Sequence, residues 1–289
     1  MNQATCIVCG NKQDLKFELR HNVYHCSVCD LYSSDADFDL SFRSSLEEDN
    51  REIGLKQLRL HNFQLIIKEL KDNYFKNEAA ISGLEIGSGN GWWLEVCKAN
   101  GIDCMGIEPE TKFTTYYQQN NLKVVHGFYP DVAKDSSAGY DFIIFNDVFE
   151  HITDLESLLL SIKKDLKKDG VLIVNIPMSN GFFYRVAKAL YYLKVESYLE
   201  RLWQFSFHSP HINYFNPVNL TAYFDKYGFR LLQDFRLETL DFSSIKERIL
   251  ADNQISKAKA FAISNALMLL KPVIKNTEAD IRVFFFRQL

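Results

Sequence analysis

The stretch Leu84-Glu85-Ile86-Gly87-Ser88-Gly89-Asn90-Gly91 constrains the chain most. An apolar strand runs into three glycines at alternate positions and then into a helical stretch near 91–100. Glycine reaches backbone conformations closed to other residues and lets a ligand approach the main chain. A helix starting there offers unpaired N–H groups to an anionic part of that ligand. Twenty-one residues after Gly87, a second apolar strand ends in Glu108-Pro109. An acidic side chain at that point can accept two hydrogen bonds from ribose hydroxyls. Together these features specify an α/β sheet with a site for an adenosine-type cofactor.

The rest of the chain keeps that rhythm. Candidate strands are Ile81–Ile86, Asp103–Glu108, Leu122–Val125, Asp141–Phe145 and Val171–Ile176, with helical stretches near 91–100, 110–120 and 154–168 between them. Such alternation builds a mostly parallel sheet. Strands buried on both faces read as continuous apolar runs, as Phe142–Phe145 and Val171–Val174 do. Beyond Pro177 come an aromatic helical segment (182–207), a helix (Leu220–Tyr227), a strand (Phe229–Leu237), a helix (Lys246–Leu270) and a last strand (Ile281–Arg287). A helical pattern over about 46–75 precedes the sheet, with Ile53, Leu58, Phe63, Ile66, Ile67 and Leu70 on its apolar side.

Two details favour S-adenosylmethionine over a dinucleotide. The glycines are spaced G-x-G-x-G, without the third glycine of G-x-G-x-x-G, and Glu85 lies two positions before the first. A carboxylate there would repel a pyrophosphate but could pair with an ammonium or sulfonium. With LEIGSGNG, GIEP and YDFIIFNDVFEHI followed by DGVLIVNIP, residues 80–240 resemble class I S-adenosylmethionine-dependent methyltransferases. The resemblance implies a Rossmann-like seven-stranded sheet whose last two strands form an antiparallel edge. It implies that Glu85, Gly87, Gly89, Asn90 and Gly91 face the methionine moiety and that Glu108, with Pro109, holds the ribose. It also implies that Asn146-Asp147 closes over the cofactor. Where the family commonly reads adenine with an acidic residue, this chain has His126-Gly127-Phe128, so backbone at Gly127 and packing by Phe128 take that place.

Four of the six cysteines fall in the first 29 residues. Cys6-x2-Cys9 and Cys26-x2-Cys29 have zinc-ribbon spacing, with sixteen residues between the pairs. Two such knuckles make a closed, structural site of four thiolates; His21 and His25 lie close enough in sequence to substitute. A segment of about 40 residues has too little core to fold without such a staple. A ribbon ahead of this domain partly resembles bacterial enzymes that methylate nucleotide-linked sugars at carbon.

Methyl transfer needs an oriented acceptor and a place for its proton. His151, just past the fourth strand at the sheet's ligand-binding edge, is the candidate base. His211 and Tyr214, in the loop after the aromatic segment, are the candidates for positioning the acceptor. Residues 182–207 carry nine aromatics and read as a lid, a packed cap or a membrane contact.

The expected organisation is a zinc ribbon over 1–40, a helical linker over 41–78 and a methyltransferase domain over 79–289. A net charge of −4 leaves no basic footprint for nucleic acid. The chain lacks an apolar run long enough to span a bilayer and a secretory h-region, so the expected location is cytoplasmic, with peripheral membrane contact left open. The expected acceptor is a small molecule, a sugar or a lipid-linked compound, in surface-polysaccharide or related synthesis. Two other readings are a binding protein that keeps the cofactor fold without turnover and a nicotinamide-dependent oxidoreductase. Oligomeric state is not legible.

Overall fold

The computed structural model describes residues 4–37, 48–76, 78, 80–133, 139–242 and 256–289. Its main sheet is built from β4 (Ser82–Ile86), β5 (Asp103–Glu108), β6 (Lys123–His126), β7 (Tyr140–Asn146), β8 (Leu166–Pro177), β10 (Phe229–Arg236) and β11 (Ile281–Gln288). Among the described residues the order is β10-β11-β8-β7-β4-β5-β6. Pairing is parallel from β6 through β8. The order reverses at β4, which β5 and β7 flank, and ligands bind beyond the carboxyl ends of the strands at such a point.

The last two strands lie together at one edge and pair antiparallel, as expected. β11 is antiparallel to both β8 and β10, so it lies inside the sheet, and the edge strand β10 runs parallel to the others. The sequence explains the placement: Val283–Phe286 is completely buried, as an inner strand requires, whereas β10 has only Phe229 fully buried.

Strand side chains alternate between faces. Phe142, Ile144, Ile173 and Phe285 point to one face, where α1 (Glu48–Glu69) and α2 (Trp92–Ala99) supply Phe63, Ile66, Ile67 and Trp93. Ile143, Phe145, Leu172, Phe284 and Phe286 point to the other, covered by α4 (Leu155–Asp165) and α7 (Pro217–Lys226). α1 is therefore no linker: it packs beside α2 and completes one layer of the domain. α3 (Thr114–Gln119) joins β5 to β6. α4 ends three residues before the expected 168 because Leu166 already pairs with Tyr140 at the start of β8.

The 182–207 segment is two helices, α5 (Phe182–Tyr192) and α6 (Ser197–Leu202). The break contains Lys194, whose φ of 65° a helix does not allow. Part of the expected 246–270 helix lies outside the described residues, and the described α8 is Lys257–Asn276.

The N-terminal strands β1 (Asp14–Glu18), β2 (Asn22–His25) and β3 (Tyr32–Ser34) do not stand alone. β9 (Asn213–Tyr214), from the loop after the cap, pairs with β3 and makes one sheet of order β1-β2-β3-β9. Phe17, Val23 and Tyr32 share a core with Tyr184, Ala187, Leu199, Trp203, Phe205 and Tyr214. Ribbon and cap thus bury their apolar faces against each other, which neither is large enough to do alone.

Candidate functional site

A cavity of about 570 Å³ opens at the carboxyl ends of β4, β5 and β7. That volume lies in the range of small-molecule and cofactor sites. Its floor is the glycine loop. Gly87 has φ 78°, and a Cβ there would stand 2.5 Å from Val148 Cγ2, so only glycine fits. At Gly89 an added Cβ would meet nothing within 4 Å, because the position opens into the cavity.

Beneath the loop runs a buried polar ladder from three adjacent strands. Asn175 Nδ2 donates to Asn146 Oδ1 (3.3 Å), and Asn146 Nδ2 donates to Glu85 Oε1 (2.9 Å). The other Glu85 oxygen is buried without a hydrogen-bond partner among the described residues. Burial holds this carboxyl well above the ordinary carboxylate range. A buried acceptor is costly unless something pairs with it, so Glu85 suits a cationic group placed in the cavity.

Glu108 closes the opposite side. Its Oε2 accepts from Gly89 N (2.7 Å) and its Oε1 from Glu110 N (2.9 Å), so the carboxylate also fixes the loop. Burial raises it, while these two N–H donors favour its charged form. His126 does not enter the site as an adenine reader. Its Nδ1 donates to Glu108 O (3.1 Å) and its Nε2 meets Thr114 Oγ1 (3.0 Å), tying β6 to β5.

Of the residues expected from sequence, Glu85, Gly87, Gly89, Asn90, Glu108, Pro109, Gly127, Phe128, Asn146, Asp147 and His151 all border the cavity. Gly91 does not; it begins α2 with φ 74° and packs under Tyr117 and Leu122. His211 and Tyr214 also stand behind the wall. Both are buried, and pairing of β9 with β3 holds Tyr214 in the ribbon–cap core. The cap loop instead presents Gln204, Phe207, His208 and Ser209 to the cavity.

Two contacts span the cavity. Arg59, from α1, pairs with Asp147 at 3.2 Å, and His208 Nε2 lies 2.8 Å from Glu110 Oε1. Arg59 and Phe63 also border the cavity, because the fold of α1 onto the sheet brings them there; in sequence Phe63 reads only as part of that helix's apolar side. The one local hint was an arginine interrupting the apolar side of that helix.

His151 sits at the cap end. Its Nδ1 is 2.9 Å from Pro210 O. A carbonyl can only accept, so Nδ1 carries the proton and Nε2 is left as a lone pair. Burial pushes this imidazole down to about 4. Next to it, Glu150 is buried and its carboxyl is held well above the usual range by that burial.

At the N-terminus the four cysteine sulfurs converge. Cys6 and Cys29 Sγ are 3.3 Å apart, and Cys9 and Cys26 Sγ 3.4 Å. These separations are far beyond a disulfide bond of about 2.05 Å and close to the roughly 3.8 Å edge of a tetrahedron with Zn–S bonds of about 2.3 Å. Backbone turns with Gly10 N donating to Cys6 O (2.9 Å) and Asp30 N to Cys26 O (2.8 Å) form the two knuckles. His25 and His21 are turned instead to Asp30 (2.8 Å) and Asp35 (4.0 Å), so neither replaces a cysteine.

The comparisons agree with this fold. A family model described as a methyltransferase domain matches residues 58–234, a span that includes the second half of α1. The fold is that of class I S-adenosylmethionine-dependent methyltransferases. The chain belongs to the methyltransferase-domain family. Among solved structures, the complex between the Haloferax volcanii Trm112 methyltransferase activator and a methyltransferase aligns with TM-score 0.53 and 12% identity, over 82% of this chain and 92% of that one. A SAM-dependent methyltransferase from Thermotoga maritima aligns with TM-score 0.51 and 16% identity, over 84% and 95%. Ubiquinone biosynthesis O-methyltransferase of Rickettsia akari is 26% identical over 117 residues, 39% of this chain and 46% of the relative. That of Rickettsia prowazekii is 26% identical over 132 residues, covering 44% and 52%. The chain thus spans about half the length of the curated relatives it matches. No described helix is long and apolar enough to cross a membrane.

Proposed function

We propose that this protein transfers a methyl group from S-adenosylmethionine to a hydroxyl oxygen of a small-molecule acceptor. The observation that carries the reading is the buried, unpartnered Glu85 oxygen beside an open glycine loop, with Glu108 across the cavity. A cation, a close backbone approach and a pair of ribose hydroxyls each find a matching group there. A dinucleotide would bring its pyrophosphate against Glu85, which disfavours the oxidoreductase reading.

In this reading Glu85, Gly87, Gly89 and Asn90 hold the methionine end, Glu108 and Pro109 the ribose, and Gly127 and Phe128 the adenine. Asn146 fixes Glu85, and Asp147, braced by Arg59, closes the near wall. When bound, S-adenosylmethionine supplies a methyl already activated by positive sulfur. The acceptor lies at the cap end, bordered by Gln204, Phe207, His208 and His151. An acceptor hydroxyl placed there would take the methyl and give up its proton beside His151. The Nε2 lone pair of His151 is the basic nitrogen that meets this hydroxyl. Oxygen as the nucleophile is supported by the names of the curated relatives. A nucleotide-linked sugar and a lipid-linked acceptor are the two classes to screen beside small aromatic alcohols.

The same proposal gives the ribbon one Zn²⁺, held by Cys6, Cys9, Cys26 and Cys29. A closed four-sulfur site is structural, and its place fits: this ribbon carries β3, which holds β9 and with it the loop behind the acceptor end. The test is release of S-adenosylhomocysteine over a panel of hydroxyl acceptors. A turning-over acceptor supports the reading, and His151→Ala should then lower turnover by roughly 10²–10⁴-fold with cofactor affinity unchanged. Tight cofactor binding with no product from any acceptor class would favour the non-catalytic alternative.

A further inference from the structure

Gln204 borders the cavity from the cap loop with φ 56°, a left-handed conformation that residues other than glycine seldom adopt. Its neighbours show what imposes it. Trp203 and Phe205 are both buried in the ribbon–cap core, with ring centres 5.7 Å apart and planes nearly stacked. On a continuing helix, residues two apart would point in nearly opposite directions. The left-handed turn at Gln204 ends that geometry just after α6 and lets both rings enter one core, while Gln204 itself faces the cavity. Strained positions of this kind persist where the surroundings over-determine them, and they cluster at ligand sites.

The side chain is fixed as well as the backbone. Gln204 Nε2 lies 2.9 Å from His211 Nε2. An amide nitrogen only donates, so the imidazole nitrogen accepts. His211 is 3% exposed and is held in turn. Its N donates to Trp203 O (3.0 Å), and Ser34 Oγ of ribbon strand β3 donates to its O (2.7 Å). Its ring stands edge-on to those of His151, 4.6 Å away, and Tyr214, 5.2 Å away. With the nitrogen of its amide committed, Gln204 keeps the amide oxygen to offer, and no described residue donates to that oxygen.

We infer that Gln204 determines which acceptors this protein takes: its amide oxygen accepts a hydrogen bond from a second hydroxyl of the acceptor, while the first meets His151. His211 is the positioning residue that aims the amide. This deepens the proposed function and rests on it. The His211 ring adjoins that of His151, so base and amide act on one bound molecule. Phe207 and Ile152 border the same end and suit the apolar faces of a ring. The class selected is therefore a ring bearing at least two hydroxyls. A ring with one hydroxyl would displace water from the amide oxygen and leave it unpaired, which a hydrogen-bonding site rejects.

The test uses the full chain loaded with S-adenosylhomocysteine and ligand-detected NMR. The probes are phenol, the three dihydroxybenzenes, cyclohexanol and cyclohexane-1,2-diol. At least one diol should bind about 5-fold or more tightly than the single-hydroxyl ring of its own kind. A preference among the aromatic probes points to an aromatic acceptor, and one among the saturated probes to a sugar-like acceptor. Gln204→Met, close in length to the native side chain, should erase the preference and leave phenol and cyclohexanol binding as in the parent. His211→Phe should weaken the preference likewise, and His211→Gln, which keeps an acceptor atom near the place of the ring nitrogen, should restore most of it. Circular dichroism and S-adenosylhomocysteine affinity should match the parent in all three variants. A parent with no diol preference overturns the inference. So does a preference that survives Gln204→Met, or His211→Gln that does no better than His211→Phe. S-adenosylhomocysteine binding in the same samples would still leave the methyltransferase reading standing, whereas its absence in the parent would strike that reading instead.

Discussion

Phe17→Ala probes whether the ribbon and the cap fold as one unit with the sheet. Phe17 is fully buried; its ring lies 4.9 Å from Tyr191 edge-on and 6.1 Å from Tyr32 in a stack. Both α5 and β3 therefore lose a partner when the ring goes. Truncating a buried phenylalanine costs about 3–5 kcal/mol through lost transfer energy and the cavity left behind. For a chain of this size that lowers the melting temperature by roughly 6–15 °C if unfolding is cooperative. The nearest parts of the cofactor site belong to other clusters, so S-adenosylmethionine affinity should stay within about twofold, and zinc should be retained. Calorimetric melting, cofactor titration and metal analysis on one preparation check all three. A main transition that does not move, with a separate low-temperature step for the ribbon, would refute the shared core.

Cys26→Ser should release the zinc and loosen β1 to β3 together with what packs on them, seen as loss of amide-exchange protection in residues 4–37 and in the cap and β9, because a structural metal supplies folding free energy. Asp280→Asn should alter the pH dependence of stability. Asp280 accepts from Phe183 N (2.6 Å) and burial raises its carboxyl from 3.8 to about 6. The folded state therefore holds this proton more tightly than the unfolded chain, so stability is greatest below about pH 4 for this group and falls as pH rises through 6. Urea midpoints at pH 4.5 and 7 should show a smaller fall in the variant than in the parent.

The sheet was legible because its strands are buried on both faces and its turns are glycine-bound. Ile143 and Phe145 need one apolar layer and Phe142 and Ile144 the other, whatever covers them. The cofactor side was legible for the same local reason: Glu85, the glycines and Glu108 lie at strand ends that sequence spacing alone can count. What sequence could not show comes from long-range pairing. Arg59 reaches the cavity only because α1 packs on α2, and Tyr214 leaves it only because β9 pairs with β3. The position of β11 between β8 and β10 depends on which strand must be covered on both edges, not on the order of strands along the chain. Glu150 shows the limit most clearly. In sequence it reads as a solvated or hydrogen-bonded helix-end carboxylate, yet it is fully buried, with Ile212 N of the cap loop donating to its backbone carbonyl.

The most direct test is a calorimetric titration of the purified chain with S-adenosylmethionine, alongside NADH and the Glu108→Ala variant. Glu108 sets the loop through Gly89 N and is the only acidic side chain expected at the ribose. The account predicts one S-adenosylmethionine bound per chain, no NADH, and affinity lowered by about 1–3 kcal/mol in the variant, roughly 5- to 150-fold. Binding of NADH instead, or S-adenosylmethionine affinity unchanged by Glu108→Ala, would contradict it.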